Sequence, residues 1–144
     1  MKSLIQFYHL PKGLDKELLK SVIVYFVESY NATLKQLAFN FVSGEELLSL
    51  NRKHLEHDHE TDILTFDYGT LTEIEAEIYI SSKALSEAPQ RFNQSPENEA
   101  IRLIAHGLFH CLGQKDDTTT EKKKMNSLEE AFINTFHVKQ RAHV

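Results

Sequence analysis

Between Ser95 and Gly113 the chain specifies a helix with both ends marked, and the rest of the fold has to be built around it. Ser95 can accept a backbone N–H as N-cap, and Pro96 sits at the first helical position, where a missing N–H costs little. Gly113 stands where a positive φ lets the chain turn off the helix. Leu103, Ile104, Leu108 and Leu112 make the segment apolar enough to be largely buried. Yet it carries His106 and His110. Positions i and i+4 share one helical face with Cβ atoms roughly 5–6 Å apart, so both imidazoles can aim a ring nitrogen at one point.

The turn at Gly113 can bring Asp116 back to that point. The spacing H-x3-H-x2-G-x2-D then supplies three candidate metal ligands, His106, His110 and Asp116, with Asp117 as fallback for the third. Three protein ligands and an open fourth position distinguish a catalytic zinc from a structural one. Two histidines four apart also arise by chance, and "KDDTTT" reads equally as a solvated loop. The glycine and the aspartate at matching offsets favour the metal. Zinc peptidases of the H-E-x-x-H design place a glutamate general base directly after the first histidine. Here that residue is Gly107, which has no side chain to take a proton, so such a peptidase is not expected. Cys111 should point off the ligand face and behave as a buried small hydrophobe.

Upstream, residues 3–9 read as a strand and 14–31 as an amphipathic helix with Leu18, Leu19, Val22, Val24, Phe26 and Val27 as its apolar set. Residues 35–43 alternate Leu37, Phe39 and Phe41 inward, a strand. Ser43 and Glu46 form a capping box opening a helix through about Arg52. Residues 61–69 and 75–83 read as an antiparallel hairpin, followed by a short helix from Ser82 to Pro89. A last helix over 119–136 puts Met125, Leu128, Phe132, Ile133 and Phe136 on one face. The expected fold is α+β: a small mixed four-stranded sheet packed by about five helices, with the metal site at the end of a buried helix.

The 144 residues read as one domain, and a single cysteine excludes an internal disulfide. No segment approaches the roughly 20 apolar residues of a membrane span, and "MKSLIQFYHLPKGLD" is no signal peptide, so a cytoplasmic protein is expected. A net charge of −5 argues against a general nucleic-acid binder, though not against a local basic surface.

"HGLFHCLGQKDD" (106–117) resembles the H-G-x-L-H-L-x-G-x-D-H signature of the YbeY family. "LLSLNRKHLEHDHETDILTFDYG" (47–69) is similar to that family's L-N, polar loop and T-[DN]-V-L-S-F stretch, and "EAEIYIS" (75–81) to its G-D-I-x-I-S strand. The resemblance covers most of residues 45–117, in order. It implies a zinc-dependent endoribonuclease with one Zn2+, its water held by His106, His110 and Asp116, that hydrolyses phosphodiester bonds of single-stranded RNA. Implied roles are maturation of ribosomal RNA at the 16S rRNA 3′ end and ribosome quality control, with small-subunit ribosomal proteins as partners. Arg52, Lys53 and Lys115 are the candidates for phosphate contact, against the plainer reading of solvated surface cations. Lys122, Lys123 and Lys124 read as a solvated face.

Three departures stand out. Most of the family has histidine as third ligand where this chain has Asp116. Many members carry an arginine in the polar loop, at the position matched here by Leu55. Ala76 and Glu77 replace a usual glycine and aspartate, which the fold should tolerate. An anionic third ligand should leave the bound water less acidic than three neutral imidazoles would. An Asp116→His variant is therefore expected to show a lower kinetic pKa than the parent in its pH–rate profile. The histidines of "HLEHDH" (54–59) read as an exposed loop rather than a second metal site, and His9, His137 and His143 as core or tail positions. Two rival functions remain: a ribosome-associated RNA- or protein-binding factor with structural zinc, and a zinc hydrolase of another substrate, such as an amide or ester.

Overall fold

The structure is a computed structural model that describes residues 4–55 and 61–142, with only the backbone of Leu55 described. The chain runs β1 (Ile5–Tyr8), α1 (Lys16–Ser29), β2 (Thr33–Val42), α2 (Gly44–Leu55), β3 (Ile63–Asp67), β4 (Glu73–Ser81), α3 (Ser82–Phe92), α4 (Pro96–Cys111) and α5 (Thr119–Ala142). The sheet order is β1-β2-β4-β3. β1 and β4 both run parallel to β2, and β3 closes the sheet antiparallel to β4, so the sheet is mixed as expected. Among the described residues no helix is long and apolar enough to cross a membrane.

Local chemistry accounts for most element ends. Asp15, Ser43, Ser81 and Ser95 each accept a backbone N–H three residues on, at 3.1 Å, satisfying an otherwise orphaned helix donor. α2 runs to Leu55 rather than Arg52, because nothing in Arg52-Lys53-His54 breaks a helix and their basic side chains suit its carboxyl end. α3 passes through Pro89 to Phe92 and ends at Asn93 with φ of 51°. Burial of Ala84, Leu85 and Ala88 holds it against the missing hydrogen bond. In α1 the buried position is Ile23, wholly covered, while Val24 is 37% exposed.

The core lies between one sheet face (Leu37, Phe39, Phe41, Ile74, Ile78, Ile80) and the apolar stripes of α1, α4 and α5. Phe26, Phe109 and Phe132 meet across these three helices with ring centroids 5.5–6.5 Å apart. α4 reaches the sheet through Gly107: a Cβ there would lie 2.8 Å from Ile78 Cδ1 and 3.3 Å from Ile63 Cδ1. This glycine therefore sets how closely the histidine-bearing helix approaches β3 and β4. Gly107→Ala is expected to cost about 1–3 kcal/mol by overpacking. The check is a lower urea midpoint with an unchanged denaturant slope.

Candidate metal centre

The carboxyl end of α4 builds the site. Gly113 N–H donates to His110 O at 3.0 Å and Gln114 N–H to Phe109 O at 2.9 Å, the two bonds of a Schellman turn, with Gly113 at φ of 101°. The turn reverses the chain over the last helical turn. It sets the Gln114 carbonyl 2.9 Å from His110 Nδ1 and brings Asp116 Oδ2 to 3.6 Å from His106 Nε2. A capping box at α5 holds the other end of this loop. Glu121 Oε1 accepts from the N–H groups of Asp117 (3.1 Å) and Thr118 (2.9 Å), while Glu121 N–H donates to Thr118 Oγ1. Accepting the Thr118 N–H draws the Glu121 carboxyl below its ordinary range.

The partners at Nδ1 decide what the Nε2 atoms can do. A carbonyl oxygen only accepts, so His110 Nδ1–H donates to Gln114 O. The Glu129 carboxylate, 2.6 Å from His106 Nδ1, accepts from that nitrogen. In two neutral imidazoles so arranged, both Nε2 atoms carry lone pairs, and they face one another at 3.0 Å. A cation between the two nitrogens, a metal ion or a shared proton, suits that arrangement. Burial, then the facing His106, pushes the His110 pKa down, partly offset by the Gln114 carbonyl and by Asp116 and Asp117. Metal ligation requires the neutral form favoured by that shift.

The dimensions fit an ion. Two donors about 2.0–2.1 Å from a tetrahedral zinc would be roughly 3.3–3.4 Å apart. The observed 3.0 Å and 3.6 Å bracket that value, and all three donor atoms lie within 4.8 Å of one another. Among the described residues, His106, His110 and Asp116 form the one such group able to hold a metal ion. Asp117, the fallback ligand, stands outside it.

Glu129 was not expected from the sequence. It lies on α5, 3% exposed, and shares the Arg102 guanidinium with Glu99, which is wholly buried. Arg102 donates to Glu99 through Nε (2.7 Å) and Nη2 (2.8 Å), and to Glu129 through Nη1 (3.3 Å). The paired carboxylates, Glu99 foremost, raise the Arg102 pKa further above its ordinary value. One clue was available: Glu129 shares a face with Met125, Phe132 and Phe136, and a glutamate on an apolar stripe needs a partner.

Two clefts meet at the cluster. Thr61, Ile63, Thr65 and Asp67 line one with His106 and His110; Leu71, Gly113, Lys115, Asp116 and Asp117 line the other with His110. Of the expected phosphate contacts, Lys115 is therefore at the site. Arg52 and Lys53 are exposed on the last turn of α2 and line neither cleft. His54 belongs to that helix rather than to a loop, its ring edge-on to Phe66 at 5.7 Å. His57, His59 and His143 lie outside the described residues, as does the Leu55 side chain. Ala76 is buried in β4, and Glu77 accepts from the Tyr79 hydroxyl at 3.2 Å, so the fold takes both replacements. Lys122, Lys123 and Lys124 are exposed. His9 is exposed, and His137 bridges Asn98 and Gln140. Cys111 is buried as expected, and burial pushes its thiol up to about 12.

Comparison with known proteins agrees on a family. The model described as "Endoribonuclease YbeY" matches residues 8–137. A protein named endoribonuclease YbeY from Cytophaga hutchinsonii is 39% identical over 103 residues, 71% of this chain and 72% of that one. Another of that name, from Christiangramia forsetii, is 36% identical over 114 residues, 79% of this chain and 80% of its own. In fold, the chain is similar to the solution structure of TM1509 from Thermotoga maritima, with a TM-score of 0.65. That match is 23% identical and covers 96% of this chain and 93% of the other.

Proposed function

The chain belongs to the YbeY endoribonuclease family, and we propose that residues 1–144 act as one zinc-dependent hydrolase domain cutting single-stranded RNA in ribosomal RNA maturation. One observation carries the metal: two imidazole Nε2 atoms 3.0 Å apart, with the Asp116 Oδ2 3.6 Å from one of them, where two open clefts meet. His106, His110 and Asp116 would hold the ion. Two imidazoles with an aspartate suit zinc, and calcium or magnesium would call for oxygen ligands instead. When bound, such an ion polarises a phosphoryl oxygen and makes water nucleophilic near neutral pH. The chain's own part is orientation. Gln114 O and Glu129 fix the two imidazole tautomers, and the Schellman turn with the Glu121 cap fixes Asp116. Lys115, exposed on the rim of the second cleft, is placed to meet a phosphate.

The 16S rRNA 3′ end and ribosome quality control are the proposed setting, with small-subunit ribosomal proteins supplying part of the binding. A chain of net charge −5 gains little from phosphate attraction alone. A lone buried thiol suits a cytoplasmic site of action. One observation favours the rival binding-factor reading: Leu55 stands at the family's arginine position, and Arg52 and Lys53 do not line either cleft. Zinc-loaded protein should cut a single-stranded oligoribonucleotide, leave the matching duplex intact, and stop when the metal is chelated. Zinc-dependent binding without cleavage would establish the rival.

A further inference from the structure

The outer edge of β3 faces the metal cluster with a row of backbone groups that the sheet does not use. Ser81 N–H donates to Asp62 O at 2.9 Å and Tyr68 N–H to Glu75 O at 2.8 Å, at the two ends of the β3–β4 pair. In an antiparallel ladder, hydrogen-bonded and non-bonded pairs alternate. With residues 62 and 68 bonded toward β4, Leu64 and Phe66 bond that way too. Ile63, Thr65 and Asp67 then turn their N–H and C=O groups away from β4. Among the described residues β3 is the last strand of the sheet, so that direction is the edge no strand pairs. The Thr61 hydroxyl, donating to Ile63 O at 3.2 Å, agrees with this orientation. The same three residues line the cleft that holds His106 and His110.

Resting on the endoribonuclease reading, we infer that the substrate RNA strand lies along this edge, its phosphates taken by the outward N–H groups and the Thr65 hydroxyl. Outward donors recur every second residue, about 6.6–6.8 Å apart, a repeat that the phosphates of an extended polynucleotide can follow. The cleft, near 480 Å³, falls within the ~300–1,000 Å³ typical of small-ligand sites, so one nucleotide can sit against the imidazoles while the strand continues. Asp67 lines this cleft and Asp116 stands beside it at the cluster, so a divalent cation there is needed before a polyanion is welcome. A peptide pairing with the edge is the other occupant such a strand can take. Continuity with the metal centre of a nuclease family favours RNA.

Proline tests a backbone donor that faces outward, because it deletes the N–H without removing a bond to β4. Thr65→Pro in the zinc-loaded protein is expected to raise KM for a single-stranded oligoribonucleotide roughly ten- to hundredfold, the worth of a hydrogen bond to a charged group. Turnover at saturating RNA and one equivalent of bound zinc should be retained. Thr65→Val, which removes only the hydroxyl and keeps the shape, should raise KM severalfold, and it serves if the proline variant does not fold. Unchanged KM in Thr65→Val and in any folded Thr65→Pro overturns the proposal and leaves the endoribonuclease reading standing. Parent protein that carries zinc and cuts no RNA overturns both. Displacement of bound RNA by an unstructured polypeptide, weakened by the same substitutions, would assign the edge to a peptide instead.

Discussion

His110→Ala is expected to lose bound metal and RNA cleavage together while keeping the fold. The imidazole sits on the last turn of α4, half-buried, its Nδ1 on the Gln114 carbonyl and its Nε2 at the cluster. Removing it leaves His106 and Asp116, 3.6 Å apart, as the two remaining members of the cluster. Losing a residue that merely supports a ligand costs about 10–100-fold in metal affinity, so losing a ligand should cost more than that. The Schellman turn survives, because its bonds are backbone to backbone. Metal-free variant and metal-free parent should therefore melt close together. The parent should gain stability on adding zinc, about 2.7 kcal/mol at a hundred times Kd, and the variant almost none. Elemental analysis, melting with and without zinc, and cleavage of a labelled oligoribonucleotide read all three. A variant that still carried one zinc and cut RNA at the parent rate would remove the cluster from the mechanism.

The legible parts of this site are those made by neighbours in the chain. Ser95, Pro96 and Gly113 mark α4 by cap chemistry acting over three or four residues, and the i,i+4 histidines need only helical geometry. The return of Asp116 was readable because a positive-φ glycine reverses the chain in a defined way. Pro89 misleads for the converse reason: its local penalty is overcome by burial of Ala84, Leu85 and Ala88, which depends on the whole fold. Glu129 meets His106 across 23 residues of sequence, and no spacing rule spans that distance. Thr118 and Glu121 form a capping box that the sequence does display, and its value emerges only once the loop it pins is seen to carry Asp116. Arg52 and Lys53 line neither described cleft, and charge alone has no direction: basic side chains in the last turn of a helix also suit its own dipole.

Arg102→Met should damage stability more than any other single change near the site. The guanidinium is the one cation shared by Glu99 and Glu129 within this network, and both carboxylates are nearly or wholly buried. Taking it away strands two negative charges in a low-dielectric interior, and breaking a buried pair in this way costs about 3–5 kcal/mol. Replacing the ions with apolar groups of equal size is often harmless, so the cost measures the stranded charges rather than the worth of the bridge. Glu129 also accepts from His106 Nδ1, so its loosening frees the imidazole to turn or change tautomer. Metal affinity should then fall about 10–100-fold on top of the stability loss. Glu129→Gln separates the two effects. The amide keeps the shape and removes a negative charge rather than stranding one, but its single oxygen can accept from His106 or from Arg102 and not from both. It should therefore cost less stability than Arg102→Met, about one lost hydrogen bond rather than two stranded charges, while still weakening zinc, because a neutral acceptor makes the imidazole a poorer ligand. Urea unfolding of the metal-free proteins and zinc titration against a competing chelator give the two numbers independently. If Arg102→Met unfolds within about 1 kcal/mol of the parent, smaller than the loss of one hydrogen-bond partner to a buried charge, the network behind His106 is not what holds it. Zinc binding by Glu129→Gln should then match the parent as well.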